Sequence, residues 1–276
     1  MRREIRDQVV VITGAGGGIG GSLARVFAQK GAKTALLDLD PTRLETVAES
    51  LRPAQILPLL CDVTDPTECE RAIETVIQTW GGVDILIANA GISHRSLLRE
   101  TDLGVIRKVV EVNFFGAVHC TIAALESITR RRGAILAISS VAGFAPLVGR
   151  TGYAASKHAL HGFFDSLRAE LHGTGVDITL ACPSFVDTGM DTRNLAGDGK
   201  TIRHAKQLIG KPSDPDKVAR QLVGAIERRK RLQVVSWVSR ISFWLSRLTP
   251  TLYERAMRRA QAKESRASST PSPLRN

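Results

Sequence analysis

The sequence is short of several features that would set its class at once. Its four cysteines, Cys61, Cys69, Cys120 and Cys182, are scattered, with no C-x-x-C and no histidine at ligand spacing. Neither a metal site nor a disulfide framework is expected from such a pattern. No run of 18 uncharged residues occurs, so no simple membrane-spanning helix is expected. Residues 1–7 are charged and lead straight into an apolar run, without a signal-peptide core and cleavage site of their own, which reads as an intracellular chain. Aromatic residues are few, 5% of the chain, yet 43% hydrophobic and 24% charged residues with 24 Gly and 11 Pro are ordinary globular usage. Disorder and fibrous repeats are excluded.

Acidic residues are also short, 27 against 38 Lys and Arg, for a net charge of +11. A charge of that size suggests nucleic acid or an anionic membrane as partner, but it is unevenly placed. Residues 220–276 hold 13 basic and 3 acidic residues, while 1–219 hold 25 and 24. The bulk of the chain is near neutral and has no electrostatic affinity for nucleic acid.

What is present is a repeated alternation. Short Val-, Ile- and Leu-rich runs at 9–13, 34–37, 55–60, 84–88, 134–138, 177–181 and 232–235 read as strands buried on both faces. Between them, helical periodicity covers 18–30, 41–51, 66–80, 101–130, 151–171 and 214–228. The β–α order predicts an α/β fold, a doubly wound parallel sheet of about seven strands, Rossmann-like, with a C-terminal helical extension. The expected division is a nucleotide-binding catalytic domain over 1–235, a basic amphipathic extension over 236–264 and a disordered tail over 265–276.

Directly after the first strand comes Thr13-Gly14-Ala15-Gly16-Gly17-Gly18-Ile19-Gly20-Gly21, opening into a helix. Glycines there let the backbone turn tightly and approach a pyrophosphate, whose charge sits on free helix N–H groups. Asp38, closing the second strand about 20 residues on, completes a dinucleotide-binding pattern. Its carboxylate can accept from ribose hydroxyls and repels a 2′-phosphate, so NAD is expected in preference to NADP.

Tyr153 and Lys157 lie four apart at the start of a helical stretch and share a face. An ammonium beside a phenol favours phenolate, giving an acid/base group suited to an alcohol oxygen. Ser139 and Ser140 end the fifth strand at the same sheet edge.

Together, Thr13-Gly14-x-x-x-Gly18-x-Gly20, Asp62-Val63, Asn89-Ala90-Gly91, Asn113, Ser140 and Tyr153-x-x-x-Lys157 resemble the short-chain dehydrogenase/reductase family over about residues 7–235. The resemblance implies Tyr153 as proton donor or acceptor, Ser140 as the hydroxyl that orients the substrate oxygen, and Lys157 as holder of the nicotinamide ribose. Asn113 would support a water-linked relay to Lys157. The implied cofactor-binding set is Gly14, Gly18, Ile19, Gly20, Asp38, Asp62, Val63, Asn89, Ala90, Gly91, Tyr153, Lys157 and Thr188. One departure stands out: the family usually has Pro-Gly after the sixth strand, and this chain has Pro183-Ser184, followed by Phe185. By the resemblance, Ser184 and Phe185 put side chains where the backbone is normally bare, which leaves the make-up of the floor of the substrate site open while the catalytic set is unaffected.

Substrate identity is expected to reside past Gly91, past Ser140 and between Gly189 and Lys211. The apolar run 141–148 favours an apolar ketone or secondary alcohol, and the stretch 156–164 resembles the steroid, retinoid and lipid branch. His94, Arg95, His158 and His161 read as solvated or helix-surface residues.

In 237–248, Trp237, Val238, Ile241, Trp244, Leu245 and Leu248 share a sector of about 120° at helical spacing, with serines opposite. That face is expected to pack on the parent domain or a second subunit; peripheral membrane contact through 237–262 is the second reading. A second helix is expected over 252–262. The functional expectation is an NAD(P)-dependent oxidoreductase in the cytoplasm, or peripheral to a membrane, forming a dimer or tetramer. The alternatives are a non-catalytic NAD-binding sensor or scaffold and a lyase or epimerase, the latter disfavoured for want of a larger substrate domain.

Overall fold

The structure, a computed structural model, describes residues 2–189, 193–201 and 212–268. Seven strands, β1 (Val9–Thr13), β2 (Lys33–Asp38), β3 (Ile56–Leu60), β4 (Ile85–Ala88), β5 (Ala134–Ile138), β6 (Asp177–Cys182) and β7 (Leu232–Val234), form one parallel sheet in the order β3-β2-β1-β4-β5-β6-β7. This is the expected doubly wound sheet. The chain reverses direction of travel between β1 and β4, opening a crevice beyond their carboxyl ends.

Burial on both faces explains the unbroken apolar strands. Val10 and Ile12 of β1 join the core under α1 (Gly18–Gln29), α2 (Pro41–Ser50) and α7 (Pro215–Glu227), with Leu23, Phe27, Leu44, Leu222 and Val223. Val9 and Val11 point the other way. They join Ile73 and Val76 of α3 (Pro66–Trp80), Cys120 of α5 (Gly116–Arg130) and Leu160 and Phe164 of α6 (Thr151–Glu170). Three helices start at an Asp-Pro pair, in which Asp40, Asp65 or Asp214 caps free N–H groups and the proline takes the first helical position.

The stretch expected as one helix over 101–130 is divided. A 3-10 turn at Leu98–Glu100 precedes α4 (Leu103–Val110), and a π-helical turn at Glu111–Phe115 joins it to α5. The π turn brings Asn113 inward, and such turns recur at functional sites. By length and composition the helical run 103–130 is apolar enough to cross a membrane. In this fold its Ala117, Cys120, Ala124 and Ile128 lie in the core against α3 and β4.

Past β7 the chain forms α8 (Trp237–Leu248) and α9 (Pro250–Ser268). The second helix starts at Pro250, two residues before the expected 252, and runs to Ser268 rather than 262; helical backbone thus covers 265–268, where a disordered tail was expected. Proline at the first helical position and the Ala-, Arg- and Glu-rich stretch after it are compatible with that extent. The rest of the expected tail, 269–276, lies outside the described residues.

The packing of α8 overturns the expected contact of its apolar sector with the parent domain. Its serine side faces the domain, with Ser239 fully buried, while Trp237, Ile241, Trp244, Leu245 and Leu248 are exposed. The helical wheel marks the apolar sector but not which sector meets the domain.

Candidate active site

Local backbone geometry builds the nucleotide end. Gly14 has φ +64°, and a Cβ there would come within 2.8 Å of the Ala90 Cα; one on Gly20 would come within 2.2 Å of the Gly14 carbonyl oxygen. Only glycine lets the loop fold back on α1 and lie against β4. Gly17 caps α1 with no side-chain bond, and a Cβ there would meet open space. The result is an uncapped helix N-terminus with a bare approach, the environment a diphosphate needs. Ile19 is half-buried and packs against the core, anchoring the first turn.

Asn89 ties the ends of β1 and β4 together. Its amide donates to the carbonyls of Thr13 and Gly14 at 2.9 and 3.1 Å, and the N–H groups of Asn89 and Ala90 both donate to Thr13 Oγ1 at 3.0 Å. Asp62 accepts from the N–H and hydroxyl of Thr64 at 2.9 and 2.8 Å. Val63 is buried against Gly116, where a Cβ would come within 2.6 Å of Val63 Cγ2. The Thr188 side chain covers Gly18, lying 3.0 Å from where a Cβ would be.

Asp38 accepts from the N–H groups of Gly16 and Asp40 at 2.7 and 3.0 Å, so its carboxylate is fixed beside the loop. Two cations that loop spacing alone did not mark lie near it. Arg43 pairs with Asp40 at 3.1 Å. Arg193 donates to the carbonyls of Gly189 and Thr188, and burial with the neighbouring Arg43 charge pulls its pKa below the ordinary value, opposed by Asp38 and Asp40. Arg43 stands five residues after Asp38, a spacing the sequence does show; Arg193 is brought there only by the fold.

At the other end of the crevice, the ends of β4 and β5, the π turn and α6 bring Gly91, Asn113, Ser140, Tyr153 and Lys157 together. Lys157 is buried, donates to the Ile138 carbonyl at 2.8 Å and lies with Nζ 5.8 Å from the Tyr153 ring centroid. Burial lowers its pKa to about 8. The Tyr153 phenol is raised above its ordinary value, chiefly by burial, with a Ser140 hydrogen bond and the Arg150 charge opposing. The expected lowering by a nearby ammonium is thus not seen: burial sets the direction, and what opposes it comes from Ser140 and Arg150. Ser140 caps a 3-10 turn at Val141–Gly143, its hydroxyl accepting from Ala142 N–H at 3.2 Å. The Asn113 amide donates to Ser156 Oγ at 2.9 Å, and a Cβ on Gly91 would lie 3.1 Å from Asn113 Oδ1 and 3.6 Å from Lys157 Nζ.

Two histidines are not the surface residues expected. His94 is fully buried and its Nε2 accepts from Gly152 N–H at 3.0 Å, capping α6 one residue before Tyr153. His161 is partly buried, with Nε2 3.0 Å from Ser139 Oγ and 3.6 Å from Cys182 Sγ. Each satisfies a polar group that the fold takes out of water. His158 is exposed, as expected.

In the apolar run after Ser140, Ala142, Gly143 and Ala145 are packed away, while Val141, Phe144 and Leu147 are half-buried and Val148 is exposed. Ser184 is half-buried and Phe185 exposed. Of the stretch expected to set specificity, 190–192 and 202–211 lie outside the described residues.

The model of the family described as short chain dehydrogenase matches residues 8–198. The chain belongs to the short-chain dehydrogenase/reductase family. It is 34% identical over 274 residues to the dehydrogenase/reductase SDR family member 7B of Bos taurus, covering 96% of this chain and 84% of that one. Identity to the Xenopus laevis protein of the same name is 36%, covering 94% and 85%. A Drosophila melanogaster SDR family protein 7-like is 35% identical, covering 91% and 80%. A short-chain dehydrogenase/reductase from Burkholderia phymatum, solved in complex with NAD, shares the fold with a TM-score of 0.79 at 23% identity, covering 99% of each chain. This short-chain dehydrogenase/reductase is therefore an oxidoreductase.

Proposed function

We propose that the enzyme transfers a hydride between NAD and the carbinol carbon of an apolar secondary alcohol, or the corresponding ketone, with Tyr153 as the acid/base. The observation that carries this reading is the Tyr153 phenol with Ser140 as its hydrogen-bonding neighbour and the Lys157 ammonium 5.8 Å from its ring. Bound nicotinamide supplies the hydride acceptor or donor.

The chain's own residues do the rest. The Ser140 hydroxyl orients the substrate oxygen, and Tyr153 gives or takes its proton. Lys157 holds the nicotinamide ribose and adds positive charge on the phenol's side of the site, which favours proton loss. Asn113, with Gly91 between it and Lys157, supports a relay through water to the lysine. Gly14, Gly18, Ile19 and Gly20 form the diphosphate cradle, with Thr188 over it. Asp62, Val63, Asn89 and Ala90 border the adenosine half, and Asp38 turns the preference to NAD. The half-buried Val141, Phe144 and Leu147 support an apolar substrate of steroid, retinoid or lipid type.

With this reading go a catalytic domain over 1–235 followed by the helical extension, and a cytoplasmic dimer or tetramer. Turnover of the full chain on a panel of steroid, retinoid, long-chain and small ketones and alcohols with each nicotinamide tests it. Fastest turnover is expected for apolar compounds with NAD. Binding of NAD without turnover of any member, or preference for sugars or amino acids, overturns it.

A further inference from the structure

The two faces of α8 have opposite chemistry. Toward the domain, Ser236 caps the helix by accepting from Ser239 N–H at 3.0 Å, and Ser239 is fully buried. The Phe243 ring meets Phe144 edge to face at 5.1 Å, and Ser246 Oγ donates to the Phe144 carbonyl at 3.2 Å. The Arg247 guanidinium stacks 3.8 Å from the Phe243 centroid. Tyr253 of α9, 5% exposed, closes on Ser242. The helix is therefore held in place by its serine side together with Phe243, and its orientation is fixed.

Toward solvent it presents Trp237, Trp244 and Leu248, which are 73%, 60% and 72% exposed, with Ile241, Leu245 and Leu252 beside them. A contiguous apolar patch of this kind on a globular surface marks an interaction site. From Trp237 to Leu252 there is no carboxylate. The neighbouring charges are predominantly cationic: Arg240 and Arg247 on the helix, exposed Arg255, Arg258 and Arg259 on α9, and Lys230, Arg231 and Arg168 at the clefts between α8 and β7, against two carboxylates, Asp165 in the cleft beside Arg247 and Glu254 on α9. A second copy of the chain meeting this face about a two-fold axis would set one predominantly basic surround against another. An anionic lipid surface complements both components, taking the tryptophans and leucines at the headgroup level and the arginines at the phosphates.

We propose that the outward face of α8 docks on an anionic membrane surface. Through Phe243 and Ser246 the docked helix seats the turn running from Ser140 to Phe144 at that surface, so that an apolar substrate reaches the site from the lipid. The second statement rests on the substrate reading above; the first does not.

The test is flotation of the full chain with vesicles of phosphatidylcholine alone or with about 30% phosphatidylserine. The expected result is flotation with the anionic vesicles, a bound fraction about tenfold lower with the neutral ones, and release by salt. The variant Trp237→Ser/Trp244→Ser/Leu248→Ser, checked for native circular dichroism, is expected to stay unbound, and Arg240→Gln/Arg258→Gln/Arg259→Gln to bind more weakly. No flotation of the wild type, or equal flotation of the wild type and the serine variant, overturns docking. A wild-type dimer that fails to float and that the serine variant turns into monomers identifies a second copy as the occupant instead. In turnover, the serine variant is expected to lose rate on a vesicle-borne apolar ketone and to keep it on a small soluble one. Equal loss on both overturns access from the lipid, whereas an enzyme inactive on every ketone overturns the substrate reading and leaves the flotation result standing.

Discussion

The side-chain amide of Asn113 holds both polar groups of Ile92, accepting from its N–H at 2.8 Å and donating to its carbonyl at 3.0 Å. That clamp fixes the strand end that carries Gly91 against Lys157. Asn113→Ala leaves both Ile92 groups without these bonds in a buried setting, a cost of about 1–3 kcal/mol. Chemical denaturation is expected to show that loss, together with a fall in kcat. A variant as stable and as active as the wild type rejects the clamp.

Tyr153→Phe removes the only phenol in the crevice among the described residues and little volume. Loss of general acid/base catalysis is worth about 10²–10⁴ in rate. Turnover is expected to fall by that much while NAD binding, read by fluorescence titration, stays within about twofold. Retained turnover rejects Tyr153 as the acid/base.

His161 links stability to pH. Burial holds its pKa at about 4 in the folded chain, against 6.5 for the free side chain. Between those values the unfolded chain takes up the proton and the folded chain does not, so stability falls as the pH drops from 6.5 towards 4. The stability difference between wild type and His161→Gln is therefore expected to shift against the wild type by about 2 kcal/mol from pH 7 to pH 5. Unfolding measured at both pH values checks it, and parallel pH curves reject the assignment.

Asp38→Ala removes the carboxylate that faces the nucleotide loop and leaves Arg43 and Arg193 nearby. The ratio of kcat/KM for NAD over NADP is expected to fall by about tenfold or more, the effect of one charge at short range. Adding Arg43→Ala to that variant is expected to restore part of the ratio by slowing the NADP reaction. An unchanged ratio in Asp38→Ala rejects its role in cofactor choice.

Much of the fold was readable from the chain itself. Strand positions agreed with expectation to within a residue or two, because double-sided burial demands continuous Val, Ile and Leu runs that nothing else in the sequence resembles. The division of 101–130 into two helices about a π turn was not readable. A π turn has no composition of its own, and Asn113 takes its place through contacts with Ile92 and Ser156, 21 and 43 residues away.

The glycine loop, Asp38 and the Tyr153–Lys157 pair were legible for a similar reason: each depends on local spacing or on a strand end. His94, His161 and Arg193 were not legible. A histidine in an apolar context reads the same whether it is solvated or buried, and only the fold supplies Gly152 N–H for one and Ser139 Oγ for the other.

By itself, then, the sequence determined the parallel sheet, the edge at which the candidate site sits and the sector of 237–248 that is apolar, since each follows from periodicity or from residues close along the chain. The tertiary structure alone decided which way that sector faces. Phe243 and Ser246 meet Phe144 about a hundred residues earlier, and that long-range contact turns the serines inward and leaves the tryptophans outside.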